Sequence, residues 1–156
     1  MKNLIIIIAI TLLISCNESD CCYAGDDTLF EIGLFNSSGI DLLDTTNSES
    51  IDISKIRILN LRDGEAKIHY QSSSAAPYGY IIYERDSIFR LNPDFDLKDK
   101  KEATGFIQWN EDDLDTLDFV LDKEFTRILS IHFNGTEVYN KETSDDWDYK
   151  YFKVIK

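Results

Sequence analysis

"ILSIHFNGTEVYN", Ile128 to Asn140, decides the fold class. Asn134-Gly135 is the strongest short hairpin signal, because both central residues of a type I′ turn take positive φ. Apolar and polar residues alternate on either side of it, so the segment reads as two antiparallel strands. Counting outward from the turn places His132 opposite Glu137 on the outer face and Ile131 opposite Val138 on the inner face.

The same period of two runs outward from this hairpin. In "DTLDFVLD" (Asp115–Asp122), Leu117, Phe119 and Leu121 face one way, with Asp118, Val120 and Asp122 on the other side. Asp63-Gly64 turns a long β-branched strand, Ile51–Leu61, back into Glu65–Gln71, which puts Leu59 opposite Ile68 and Leu61 opposite Ala66. Phe30, Ile32 and Leu34 mark a first strand; Tyr80–Glu84, Ser87–Leu91 and Thr104–Trp109 mark others, and "WDYKYFKVIK" the last. Asn36–Ser50 is rich in turn formers, and "NPDFDLKDKKE" (Asn92–Glu102) reads as a charged connection. No segment sustains a helical period. Short strands at this spacing, nine or ten in all, predict an antiparallel β-sandwich of immunoglobulin-like or related Greek-key type.

The chain before this domain has a different character. Lys2 precedes Leu4–Ile14 (LIIIIAITLLI), an apolar run of eleven residues. A spanning helix needs about 20 such residues, so the run suits a secretory signal instead. Leu13-Ile14-Ser15-Cys16 resembles the bacterial lipobox. The resemblance implies acylation of the Cys16 thiol, cleavage before it, and acylation of the new amine. Several acyl chains hold a protein stably on a bilayer, where one chain does so only marginally. The expected organisation is a signal peptide over 1–15, a lipidated N-terminus and polar tether over 16–28, and a β-sandwich domain over 29–156. Cys21 and Cys22 are the other two thiols. Further acylation, a bridge to a neighbouring molecule, and inert thiols in a tether all fit them. A zinc site does not, because four ligands are needed and none stands nearby.

Without the leader, 15 basic residues face 29 acidic ones, a net charge of −14 over 141 residues. Such a chain repels nucleic acid and anionic membrane surfaces, and its acids keep it soluble at high local concentration. The domain contains no cysteine, so its stability has to come from core burial.

Chemistry-bearing motifs are few. No P-loop, dinucleotide fingerprint, H-E-x-x-H or nucleophile elbow occurs, and His69 and His132 both fall in strands, His69 opposite Ile58. The chain therefore reads as a non-enzyme. Two acidic stretches offer oxygens for weak calcium binding: Asp94 and Asp96 alternate in the first, and Asp112, Asp113 and Asp115 crowd the second. The first lacks the glycine and closing glutamate of an EF-hand loop and carries Lys98. Trp147, Tyr149 and Tyr151 share one face of the last strand, which suits either a sugar platform or core packing.

"NSSGIDLLD", "TGFIQWNEDDLDTL" and "IHFNGTEVY", in this order after a lipobox, resemble a group of small uncharacterised Bacteroidetes lipoproteins. The resemblance implies an envelope compartment and a β fold, and no activity. Four triplets resemble the O-glycosylation motif of exported proteins of that group, at Thr28, Thr45, Ser87 and Thr116. Asn17 is not the aspartate associated with inner-membrane retention, and Glu18-Ser19-Asp20 resembles an acidic surface-export signal. The reading is an outer-membrane lipoprotein facing the medium, with the periplasmic face as the alternative. It acts as an interaction module for an unknown protein or glycan partner; the alternative is a glycan- or calcium-binding envelope protein.

Overall fold

The computed structural model describes residues 27–124, 126–144 and 150–156. Within them lie ten strands: β1 (Glu31–Phe35), β2 (Arg57–Arg62), β3 (Glu65–Ile68), β4 (Tyr80–Arg85), β5 (Ile88–Pro93), β6 (Glu102–Asn110), β7 (Asp113–Leu121), β8 (Ile128–Phe133), β9 (Thr136–Asn140) and β10 (Tyr151–Ile155). They form an all-β sandwich. One sheet has the order β10-β1-β5-β4, and the other β3-β2-β6-β7-β8-β9. The chain changes sheet after β1, β3, β5 and β9.

Alternation explains the layering. Ile32 and Leu34 of β1 and Phe152 and Val154 of β10 meet Ile58, Ile107, Leu117, Phe119 and Leu121 from the other sheet in one core. Phe30 sits at its centre, with ring centroids 6.1 Å from both Phe95 and Phe152 and 5.6 Å from Phe119. Offset and tilted aromatic pairs of this kind add about 0.5–1.5 kcal/mol each beyond their burial.

The turns use the residues that tolerate positive φ. Asp63-Gly64 (54° and 80°) and Asn134-Gly135 (48° and 78°) do so as expected. Asp86-Ser87 does so without glycine, at 53° and 61°. Gly105 serves packing instead. A Cβ there would lie 2.3 Å from the Phe95 ring, so its bare backbone makes room for that ring.

Four features depart from the sequence reading. The β1–β10 pair is parallel, with Glu31 opposite Tyr151 and Phe35 opposite Ile155, because β10 enters the sheet at the end where β1 begins. The stretch Ile51–Leu61 is not one strand: Asp52 accepts from Ser54 N and caps a 3-10 turn over Ile53–Lys55 before β2 starts. In the β8–β9 hairpin, His132 faces Glu137 as counted, but Ile131 faces Tyr139 and not Val138. A bulge absorbs Val138, so that Val138 and Tyr139 both pack against the core. Finally, the charged connection Asn92–Glu102 carries core residues, since Phe95 and Leu97 turn inward between exposed Asp94 and half-buried Asp96.

Candidate binding surface

The edge strand β3 and the loop that follows it bring exposed aromatic and aliphatic side chains together beside a cleft. All four β3 residues are exposed. The β2–β3 register, Leu59 to Ile68 and Leu61 to Ala66, puts Ile68 on the outer face and Lys67 on the opposite side with Asn60. His69 N then donates to Ile58 O (2.7 Å), and the loop closes where Gln71 N donates to Pro77 O (2.9 Å). Gly79, at φ +76°, lies against the imidazole; a Cβ there would be 2.7 Å from His69 Cγ.

This loop brings two tyrosines together. The Tyr70 and Tyr78 rings are 5.3 Å apart and tilted by 46°. Arg57 stacks its guanidinium 3.9 Å from the centre of the Tyr78 ring. Tyr70 is 62% exposed and Ile68 beside it 52%. Behind them lies a cleft of about 290 Å³ whose lining includes Asn60, Arg62, Lys67, His69 and Tyr70. Each basic group there has an acidic neighbour: Arg62 with Asp96 at 2.7 Å, Lys67 with Glu65 at 3.7 Å, and His69 with Asp94 at 3.9 Å. Sequence reasoning missed Tyr70, Tyr78 and Arg57. The signal available was a tyrosine at either end of a Ser/Ala/Pro loop, Tyr70–Tyr78.

The expected site residues are dispersed. Asp94 and Asp96 sit at this cleft, with Asp96 engaged by Arg62 and by its own amide on Asn60 Oδ1. Asp112 lies in the β6–β7 turn and Asp113 begins β7, at another part of the sandwich. Asp115 is buried, and accepts from Trp109 Nε1 (2.6 Å), Asn134 Nδ2 (2.8 Å) and Lys156 Nζ (2.6 Å). Among the described residues no group of three or more His, Cys, Asp or Glu is placed to hold a metal ion. His132 lies 3.9 Å from Glu137. Thr45 and Ser87 are exposed on turns, whereas Thr28 and Thr116 are half-buried. Cys16, Cys21, Cys22, Trp147 and Tyr149 lie outside the described residues. Trp109, the other tryptophan, is in the core.

A second polar cluster covers the outer face of the four-stranded sheet; within it Arg90 Nε and the Tyr151 hydroxyl are buried without a hydrogen-bond partner among the described residues. Glu31 is 4% exposed; it accepts from Arg90 Nη1 (2.6 Å) and from the Tyr83 hydroxyl, with Arg85 at 3.6 Å. Burial raises the Glu31 pKa, but the bonds from Tyr83 and Arg90 outweigh it and hold the carboxyl below its usual value. Burial and the bond to Glu31 push the Tyr83 phenol up to about 12. Tyr151 lies over Gly33 and under Arg90, whose guanidinium is 4.4 Å from the ring centre.

No protein-family model, no curated protein and no solved structure matches this chain.

Proposed function

We propose that this chain is a lipid-anchored protein of the cell envelope, carried on the outer membrane and facing the medium. There it works as a non-catalytic interaction module. What supports the anchoring is Leu13-Ile14-Ser15-Cys16 at the end of an apolar run too short to span a bilayer. What carries the interaction role is the corner where Ile68 at the end of the edge strand and Tyr70 in the following loop stay exposed, with half-buried Tyr78 against the Tyr70 ring. Both histidines have a carboxylate 3.9 Å away as their charged neighbour; for His132 it is Glu137, its cross-strand partner, a pairing that a sheet surface produces without catalysis.

Processing tests the anchoring. Cys16→Ala should accumulate as an uncleaved precursor, and globomycin should produce the same species from the wild type. Proteinase K on intact cells should remove the domain, and Glu18→Ala with Asp20→Ala should protect it. Normal processing of the Cys16 variant, or resistance of the wild-type domain on intact cells with digestion after lysis, would refute the respective half of the proposal.

A second reading, a glycan-binding envelope protein, is favoured by one observation: Tyr70 is exposed beside a polar cleft.

A further inference from the structure

The geometry points to a neutral oligosaccharide as the ligand of the Tyr70 cleft, an assignment that rests on the binding role proposed above for that corner. Its first support is the state of Tyr70. The side chain is 62% exposed, yet its ring is braced by Tyr78, and Tyr78 by Arg57. A braced aromatic face loses little rotamer freedom when a partner settles on it. The C–H face of a sugar ring is the kind of partner that stacks on such a phenol while its hydroxyls stay wet.

The second support is the charge pattern. Three basic side chains line or approach the cleft, and each stands 2.7–3.9 Å from its own acid, Asp96, Glu65 or Asp94. The Arg62–Asp96 and Lys67–Glu65 pairs offset each other's charge while setting donors and acceptors side by side. Vicinal hydroxyls, each of which both donates and accepts, match that array. An anion matches it poorly: it would have to displace Asp96 from Arg62, in a chain of net charge −13. The third is size. A cleft of about 290 Å³ lies just below the usual range of ligand sites, about 300 Å³ upward, and has room for a single sugar ring.

A protein strand added to β3 is the competing occupant. Against it, β3 offers four residues and carries Glu65 and Lys67, and short charged edges resist strand addition.

Native electrophoresis of the full-length chain tests the assignment, run in a detergent without a sugar headgroup. The gels contain xyloglucan, galactomannan, laminarin or glycogen, with polygalacturonate as the anionic comparison. At least one neutral polysaccharide should retard the protein, with Tyr70→Phe retaining the effect and Tyr70→Ala weakening it at least tenfold. Circular dichroism establishes that each variant is folded; Gln71→Ala, also at the cleft, replaces Tyr70→Ala if that chain is not. No retardation in any neutral gel, retardation unchanged by the cleft variant, or retardation by polygalacturonate alone overturns the assignment. Those outcomes leave the anchoring standing, since that depends on the processing of Cys16 and not on the gels.

Discussion

The ammonium of Lys156 lies 2.6 Å from Oδ2 of Asp115, a carboxylate only 4% exposed, and so ties the end of β10 to β7 in the opposite sheet. Asp113 joins the same ammonium at 2.6 Å. Burial would pull the Lys156 pKa down, but the two carboxylates outweigh it and raise it. Asp115 also fixes the Trp109 indole and the Asn134 amide, and Asn134 in turn accepts from Thr116 N. One acid thus links a core tryptophan, a hairpin turn and the inter-sheet contact.

Asp115→Ala should therefore be among the costliest single changes. It leaves a buried indole N–H without its acceptor and takes from Lys156 one of its two carboxylates, Asp113 remaining, a loss of about 2–3 kcal/mol. Urea unfolding followed by Trp fluorescence measures it; a loss below about 1 kcal/mol would show that the contacts contribute no more than an ordinary hydrogen bond.

Acid should weaken the domain through Glu31. Its carboxyl titrates below the ordinary 4.5 when folded. The stability it contributes is complete above about 4.5 and is lost as pH falls through the lower, folded value. Glu31→Gln should cost about 3 kcal/mol at pH 7 by leaving Arg90 without its buried partner, and should flatten the stability curve below about pH 4.5. In the same variant the Tyr83 phenol should move down from about 12 as the Glu31 charge is lost, and stay raised because burial, the larger cause, remains; phenolate absorbance reads the shift.

The two turns that differ in glycine content make opposite predictions. Gly135→Val places a β-branched residue at φ 78° and should destabilise by more than about 1 kcal/mol. Ser87→Gly relieves a left-handed serine at φ 61° and should stabilise by about 0.5 kcal/mol. Thermal melts of the pair settle both signs.

Gly105→Ala should destabilise by about 1–3 kcal/mol, because the new methyl meets the Phe95 ring at 2.3–2.4 Å and Leu59 O at 3.3 Å. Adding Phe95→Leu to it should recover part of the loss, a coupling that a double-mutant cycle would detect.

The sequence alone determined what depends on near neighbours in the chain. Period-two alternation placed Leu117, Phe119 and Leu121 inside, and Asp63-Gly64 and Asn134-Gly135 set hairpins whose first pairs need no information from elsewhere. Long-range contact decided the rest. Nothing local marks the parallel meeting of β1 and β10, since their partners are some 120 positions apart, as with Glu31 and Tyr151. Asp115 looked like one more solvated acid among 29, and only the sandwich could bury it beneath Trp109, Asn134 and Lys156. The candidate cleft was illegible for the same reason: Arg57, Arg62, Tyr70, Tyr78 and Asp94 are scattered over 38 residues, and converge because β2, β3 and the end of β5 meet there. Periodicity records which face a residue takes. Which residues share that face across the fold is set by packing two sheets against each other, and no local pattern encodes it.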